Sequence, residues 1–255
     1  MDLELRGRTI LITGGTDGLG LALARYLIRE GANVAVCGRS EERLRVAQEI
    51  LGPSALCVQA DVTRAIDCDM LIEATLSRFG YLDGLVNNAG TAVATPVAAS
   101  SDEDWRSDYE LKVVAALRLA RASLEHLEVR GGSILNVLSI SARTPASGST
   151  PTSASRAAGL ALTKALANEV APRGIRVNAA LIGLIESGQW VRRASATGQV
   201  LEEFYAEAAR NARVPLGRYG RAEEFADVAA FLLSRRASFV TGVGVSVDGG
   251  LSAAI

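Results

Sequence analysis

A chain of 255 residues, of which 49% are hydrophobic and 22% are charged, can bury a core of the size found in one α/β domain. Its 27 basic and 28 acidic residues give a net charge of -1 and form no basic block. That balance argues against a nucleic-acid-binding protein and against a protein of anionic membrane surfaces. We therefore expect the partner to be a small molecule.

Neither end nor middle of the chain shows a membrane signal. Residues 1–6 lack the apolar stretch of a secretory signal, and no apolar run approaches the roughly 20 residues that span a bilayer. The three cysteines, Cys37, Cys57 and Cys68, are odd in number and lack the spacing of metal ligands. We therefore predict a soluble protein of the reducing cytoplasm, with no membrane partner and no bound metal.

Short β-rich runs alternate with longer helical patterns along the whole chain. The run 8–13 is followed by an amphipathic pattern over 19–30 and by a second β-rich run over 33–37, which predicts a βαβ unit. Further strands are predicted at 55–60, 84–87, 133–138, 176–181 and 244–247, and further helices at 41–51, 67–79, 102–128, 153–171 and 222–233. Seven apolar strands with helical crossovers predict one α/β domain over 1–255, with a parallel sheet covered by helices on both faces.

The stretch 187–218 lies between the last two predicted strands and has no clear periodicity. It contains Trp190, Arg192, Arg193 and Tyr205. An insertion at this place predicts a lid over a substrate pocket. A tyrosine in such a lid is more often a substrate contact than a proton donor.

A glycine-rich turn follows the first strand. The residues Thr13-Gly14-Gly15-Thr16-Asp17-Gly18-Leu19-Gly20 lead directly into a helix. Glycines there allow a tight turn that brings backbone N–H groups and the positive helix end against a pyrophosphate. The spacing differs from the common Gly-x-Gly-x-x-Gly form. It resembles the Thr-Gly-x-x-x-Gly-x-Gly loop of the short-chain dehydrogenase/reductase family.

Other segments agree with this resemblance, which covers nearly all of residues 7–250. They are Asp61-Val62, Asn87-Asn88-Ala89-Gly90, Pro215-Leu216-Gly217-Arg218 and Val247-Asp248-Gly249-Gly250. The resemblance implies a Rossmann-like doubly wound fold, a bound nicotinamide dinucleotide, and a homotetramer or homodimer formed through the last helices and strand. It also implies a cofactor site that contains Gly14, Thr16, Asp17, Gly18, Leu19, Asp61, Val62, Asn88, Ala89, Gly90, Arg156, Gly183, Ile185 and Ser187.

The choice between NADP and NAD depends on the residue after the second strand. An acid there binds the ribose 2′-hydroxyl of NAD, whereas an arginine pairs with the 2′-phosphate of NADP. The chain has Gly38-Arg39, which favours NADP(H) over NAD(H). Two observations oppose this: Asp17 stands where NADP-preferring relatives often carry a basic residue, and Arg39 could be only a solvated charge at a helix start.

Residues 136–156 resemble the active-site segment of the family. The family pattern has a serine, a tyrosine thirteen residues on and a lysine four residues after that; here the positions hold Ser139, Thr152 and Arg156. Lys112, seven residues after Trp105, replaces an asparagine on the fourth helix. In the family the tyrosine gives its proton to the carbonyl oxygen, the lysine lowers the pKa of that tyrosine, and the serine holds the oxygen.

The replacements change what each position can do. An aliphatic alcohol has a pKa far above the roughly 10 of a phenol, so Thr152 alone is a poor acid. Arg156 stays protonated and is predicted to hold the nicotinamide ribose and stabilise negative charge. Lys112, desolvated and near Arg156, should have a lowered pKa and is the best candidate for a proton relay. The alternative is that Lys112 only pairs with Asp108 or Glu110.

Together these residues predict an NADP(H)-dependent oxidoreductase that acts on a carbonyl, an alcohol or a related small molecule by a modified proton route. Arginines at positions 143, 156, 192 and 193 indicate that the substrate could be anionic. Two alternatives remain open. The protein could be a catalytically silent homologue that binds a cofactor or ligand, or a non-redox enzyme of the same fold, such as a lyase or a halohydrin dehalogenase.

Overall fold

The predicted strands form one parallel sheet in the computed structural model, which describes residues 2–254. Within that range the sheet has seven strands in the order β3-β2-β1-β4-β5-β6-β7. They are β1 (Thr9–Thr13), β2 (Asn33–Gly38), β3 (Ala55–Gln59), β4 (Gly84–Asn87), β5 (Ser133–Ser139), β6 (Arg176–Ile182) and β7 (Gly244–Val247). The doubly wound α/β fold predicted from the sequence is confirmed.

Helices cover both faces of this sheet. They are α1 (Gly18–Arg29), α2 (Glu41–Leu51), α3 (Ala65–Phe79), α4 (Asp102–Tyr109), α5 (Ala115–Glu128), α6 (Thr152–Val170), α7 (Gly188–Thr197), α8 (Leu201–Asn211) and α9 (Ala222–Leu233). No helix in the described part of the chain is both long and apolar enough to cross a bilayer.

Alternate side chains of the strands fill two separate cores. In β1, Ile10 and Ile12 pack with α1 and α9 on one face, whereas Leu11 packs with α3, α5 and α6 on the other. Successive side chains of a strand point to opposite faces, so a strand covered on both sides is apolar throughout. This explains why the predicted strand boundaries agree with the structure to within one residue at each end.

Two predictions of secondary structure were wrong. The helix expected over 102–128 is interrupted by a π-helical turn at Glu110–Val114, between α4 and α5. The stretch 187–218, expected to be irregular, contains α7 and α8. Both helices are amphipathic: Ala194 and Ala209 are buried, and Trp190 and Tyr205 pack against Tyr219, so the helical pattern was present in the sequence and was missed.

A short antiparallel ribbon ties the loop after β4 to the start of α6. Residues Ala94–Thr95 pair with Thr150–Pro151. The ribbon therefore places Thr152, the first residue of α6, beside the backbone of Val93. This sets the position of one of the predicted catalytic side chains.

Candidate active site

The predicted cofactor residues meet where the strand order reverses. β1 lies between β2 and β4, so the chain crosses to the other half of the sheet at this point. In doubly wound folds, ligands bind beyond the carboxyl ends of the strands at such a switch point. The glycine-rich loop after β1 and the segment after β4 lie on either side of it.

The glycine-rich loop is a preformed cradle. Gly14 and Gly18 have positive φ angles of 63° and 53°, which glycine adopts without strain. A Cβ atom on Gly20 would lie 2.5 Å from the carbonyl oxygen of Gly14. The Asn88 amide donates to the carbonyls of Thr13 and Gly14 at 2.9 and 3.1 Å, which fixes the loop against β4. The loop therefore presents backbone N–H groups at the start of α1.

Asp17 faces α7. Its carboxylate accepts hydrogen bonds from the Gly18 N–H at 2.7 Å and from Arg192 Nη1 at 2.9 Å. A side chain on Gly188 would collide with this carboxylate. Leu19 is buried in the core, so only its backbone is available to a ligand. The charge of Asp17 is thus paired with a cation from the 187–218 segment.

Arg39 and Asp61 lie near each other at the carboxyl ends of β2 and β3. Burial raises the pKa of Asp61, but two hydrogen bonds from Thr63 and the positive charge of Arg39 outweigh it, so the pKa is held below its usual value. Arg39 is exposed. Thr16 packs against Gly38: a Cβ atom on Gly38 would lie 2.9 Å from the Thr16 hydroxyl oxygen.

The segment after β4 is tied to both β1 and Arg156. The N–H groups of Asn88 and Ala89 each donate to Thr13 Oγ1 at 3.0 Å. A Cβ atom on Gly90 would lie 3.0 Å from Arg156 Nη2. The close approach of Arg156 therefore depends on glycine at position 90.

The remaining predicted cofactor residues line the other side of the switch point. Gly183 packs closely against Asp248: a Cβ atom on Gly183 would lie 2.7 Å from the Asp248 Cβ. Val62 and Ile185 are buried, so Ile185 can offer a ligand only its backbone. The Ser187 hydroxyl is buried and has no hydrogen-bond partner within the described chain. A glycine cradle at a helix start and an unpaired hydroxyl fit a nicotinamide dinucleotide.

Four helical side chains form a buried polar network beneath the site. Lys112 Nζ donates to Asp108 Oδ1 and, at 2.9 Å, to Thr152 Oγ1. Ser155 Oγ lies 2.5 Å from the other carboxylate oxygen of Asp108. The Val93 N–H also donates to Thr152 Oγ1, at 3.0 Å. Since Thr152 Oγ1 already accepts two hydrogen bonds, its own proton is left for a third partner.

The environment of Lys112 makes it titratable. Its side chain is completely buried, and burial together with the Arg156 cation lowers its pKa to about 8, although Asp108 opposes the shift. The expected lowering of the pKa is therefore confirmed. Glu110 pairs with Arg118 instead. Lys112 lies in the π-helical turn, a feature that occurs often at functional sites.

Arg156 is fixed by a hydrogen bond to the central sheet. Its Nη1 donates to the Val137 carbonyl at 2.6 Å, and burial lowers its pKa to about 10, so it stays charged at neutral pH. Arg156 Nε and Asn87 Oδ1 are buried without partners within residues 2–254. Both residues line, with Lys112, a cavity of about 20 Å³. That volume has room for one water molecule.

The other candidate side chains make contacts of their own. Ser139 Oγ accepts the Ser141 N–H at 3.2 Å. Arg143 donates to the Gly244 carbonyl, and Arg193 stacks on Trp190. Burial and Glu186 raise the pKa of Tyr205, which makes it a weaker acid. None of these four side chains hydrogen-bonds to the proton network within residues 2–254.

Sequence reasoning did not assign roles to Asp108 and Ser155. Asp108 precedes Lys112 by four residues, the spacing of neighbours on one helix face. That spacing made the pair visible as an ion pair but not as part of a network. Only the packing of α6 brings Ser155 and Thr152 to them.

Comparison with known proteins identifies the family of this chain. A family model described as enoyl-(acyl carrier protein) reductase matches residues 14–252. The NADPH-bound structure of a short chain oxidoreductase from Pseudomonas aeruginosa PAO1, described as containing an atypical catalytic center, is 38% identical with a TM-score of 0.92. The match covers 97% of this chain and 98% of that one.

Two further solved structures are similar over almost their whole length. L-sorbose reductase from Gluconobacter frateurii, in complex with NADPH and L-sorbose, is 34% identical with a TM-score of 0.93, covering 100% of both chains. A 3-ketoacyl-(acyl-carrier-protein) reductase from Brucella melitensis, in complex with NADH, is 32% identical with a TM-score of 0.87, covering 98% of this chain and 100% of that one. On this evidence, the chain belongs to the short-chain dehydrogenase/reductase family of NAD(P)-dependent oxidoreductases.

Proposed function

We propose that this protein is an NADP(H)-dependent oxidoreductase that interconverts a small carbonyl compound and its alcohol, with Thr152 and Lys112 carrying the proton. The hydrogen bond of 2.9 Å between Lys112 Nζ and Thr152 Oγ1 is the observation that carries the proposal. A relative with an atypical catalytic center binds NADPH. This supports cofactor binding in a chain that departs from the usual active-site residues.

The proposed proton route runs from Lys112 through Thr152. When bound, the reduced nicotinamide would supply a hydride to the substrate carbonyl carbon. As negative charge builds on the carbonyl oxygen, Thr152 donates its free proton to that oxygen and takes a proton from Lys112, which becomes a neutral amine. A pKa of about 8 keeps Lys112 protonated near neutral pH yet able to release the proton. Oxidation of the alcohol reverses each transfer.

Arg156 and Ser139 have supporting roles in this proposal. Arg156 would hold the nicotinamide ribose and stabilise negative charge, because its guanidinium stays protonated. Ser139 would orient the substrate oxygen. An anionic substrate would pair with the Arg156 nitrogens that the Val137 carbonyl does not use, since Arg143 and Arg192 donate to Gly244 and Asp17.

Turnover with purified cofactors tests the proposal. A panel of ketones, aldehydes and keto acids, followed by NADPH absorbance and product identification, should contain a reduced substrate. Cofactor binding with no turnover across the panel would favour the silent homologue. Conversion of a substrate without cofactor would favour the non-redox enzyme.

Arg39 is expected to set the cofactor preference. The protein should bind NADPH more tightly than NADH, because Arg39 is exposed beyond β2 and Arg192 already pairs with the Asp17 carboxylate. Replacing Arg39 with aspartate should lower NADPH affinity about tenfold or more and reverse the order. Fluorescence titration measures both affinities. The same charge change at Arg43, also exposed, is the control; equal affinities in the wild type would contradict the charge argument.

We propose that the 187–218 segment is a lid held by the Asp17–Arg192 pair. The pair spans the glycine-rich loop and α7, but both side chains are partly exposed, so it should contribute little energy. Arg192→Ala is expected to speed NADPH release by about two- to fivefold, measured by stopped-flow fluorescence. Arg210→Ala, in exposed α8, is the control. An unchanged release rate would contradict the proposal that the Asp17–Arg192 pair holds the lid.

Assembly and location stay predictions. Phe239 and Leu216 are large exposed apolar residues near the C-terminal strand, which favours the expected homotetramer or homodimer. Sedimentation of the purified protein would measure the assembly. The cysteines at 37, 57 and 68 are all free, consistent with the proposed cytoplasmic location.

A further inference from the structure

Lysine is rare in this chain. Of its 27 basic residues only Lys112 and Lys164 are lysines; all the others are arginines. Lys164 is exposed, whereas the Lys112 side chain is fully buried. The other deeply buried ion pair, between Arg8 and Asp83, uses arginine. A purely structural pair can use either base, but only lysine can release its proton at an accessible pH.

Asp108 connects Lys112 to two helices. Its side chain is 1% exposed, and each carboxylate oxygen has its own partner: Lys112 Nζ on one and Ser155 Oγ, at 2.5 Å, on the other. Ser155 belongs to α6, the helix that begins with Thr152. The Asp108 carboxylate is therefore fixed by a residue of α6, the helix that also carries Thr152, which accepts the proton from Lys112. In this orientation the Lys112 ammonium lies against Thr152 Oγ1.

We propose that Asp108 is a positioning residue for the proton relay, because it is anchored by Ser155 and holds the Lys112 ammonium in hydrogen-bond contact with Thr152. The inference rests on the proposed function and extends it to a residue that touches neither substrate nor cofactor. Asp108 acts only through Lys112. Its role is to keep the relay both aligned and charged.

The charges that face Lys112 explain why the carboxylate is needed. Arg156 faces it from α6, and Asp108 faces it from its own helical segment. Burial and Arg156 both favour the neutral amine, whereas Asp108 favours the ammonium. Without the carboxylate, the two lowering effects are unopposed. Lys112 would then lose its proton at lower pH and would be less able to return a proton to Thr152 at neutral pH.

The rarity of lysine makes a direct test possible. Protein labelled with ¹³C and ¹⁵N in lysine has two side-chain signals, and Lys164 serves as an internal reference. In wild-type protein the Lys112 signal should titrate near pH 8. In Asp108→Asn it should titrate at least about one pH unit lower, with Lys164 unchanged. The pH profile of carbonyl reduction should move to lower pH by the same amount, with at least about a threefold loss of turnover at pH 7.5.

Asp108→Glu separates position from charge and serves if Asp108→Asn does not fold. The glutamate keeps the negative charge but lengthens the side chain by one methylene. Lys112 should still titrate near pH 8, while turnover falls about tenfold because the ammonium is displaced from Thr152. Wild-type turnover in this variant would overturn the positioning role.

Two outcomes distinguish the inference from the function on which it rests. If Asp108→Asn reduces substrate with the wild-type pH profile and the Lys112 titration is unmoved, Asp108 has no role in the relay. If the Lys112 titration moves as expected but the wild-type protein reduces no carbonyl compound, the proposed function is wrong. The proposed proton relay is then wrong as well. A moved titration together with a moved pH profile supports both.

Discussion

Replacing Lys112 with methionine should reduce turnover at least about 10²-fold while NADPH affinity stays nearly unchanged. Methionine fills a similar volume but cannot return a proton to Thr152, whose oxygen lies 2.9 Å from the lysine nitrogen. Steady-state NADPH oxidation measures turnover, and fluorescence titration measures affinity. This is the pattern of a residue that transfers a proton and does not bind the cofactor.

The buried partner of Lys112 requires a matched control. Lys112→Met leaves the Asp108 carboxylate buried without its cation, and removing one partner of a buried pair costs about 3–5 kcal/mol of stability. The double variant Lys112→Met with Asp108→Asn removes both charges and should recover much of the lost melting temperature while staying inactive. Lys164→Met, at the other lysine, should keep full turnover. Turnover of Lys112→Met within a factor of a few of wild type would contradict the relay.

Replacing Thr152 with valine should also reduce turnover about 10²-fold, because valine has nearly the same shape but no proton to give. The change also removes the acceptor for Lys112 and for the Val93 N–H. Thr152→Ser keeps the hydroxyl and should retain turnover within about tenfold of wild type. The measurement is kcat and KM for both variants with one substrate.

Comparing the valine and serine variants separates the role of the Thr152 hydroxyl from that of its methyl group. A loss in both would show that the methyl group matters for packing at the start of α6. Full activity in the valine variant would mean that the proton reaches the substrate by another route, for instance through water. Full activity in the valine variant would contradict the proposed role of the Thr152 hydroxyl, whereas a loss in both variants would show that the methyl group is needed as well.

The order of residues along the chain was enough to predict the fold. A strand covered on both faces, such as β1, is apolar at every position, and a glycine-rich turn directly after it indicates a phosphate-binding loop. These signals are local, since each depends on a few consecutive residues. The strands and the α/β class were therefore predicted correctly, and the family resemblance agrees with the match over 14–252.

The same local patterns were insufficient where helices are short or irregular. α7 and α8 are amphipathic but short, and Gly198 ends the first of them, so no long periodic run marked this segment. The π-helical turn that carries Lys112 changes the helix register by its i→i+5 hydrogen bonding, which residue spacing alone does not reveal.

The candidate proton network depends on contacts between distant parts of the chain. Residue order indicated that Lys112 was unusual and that Thr152 was a weak acid, because those conclusions follow from residue type. It did not indicate that Ser155 would hold Asp108, or that Val93 would occupy one side of the Thr152 oxygen. Those contacts arise when α6 packs against the π-helical turn and the short ribbon aligns its first residue. Burial there also lowers the pKa of Lys112, since desolvation is a property of the packed molecule and not of the residue.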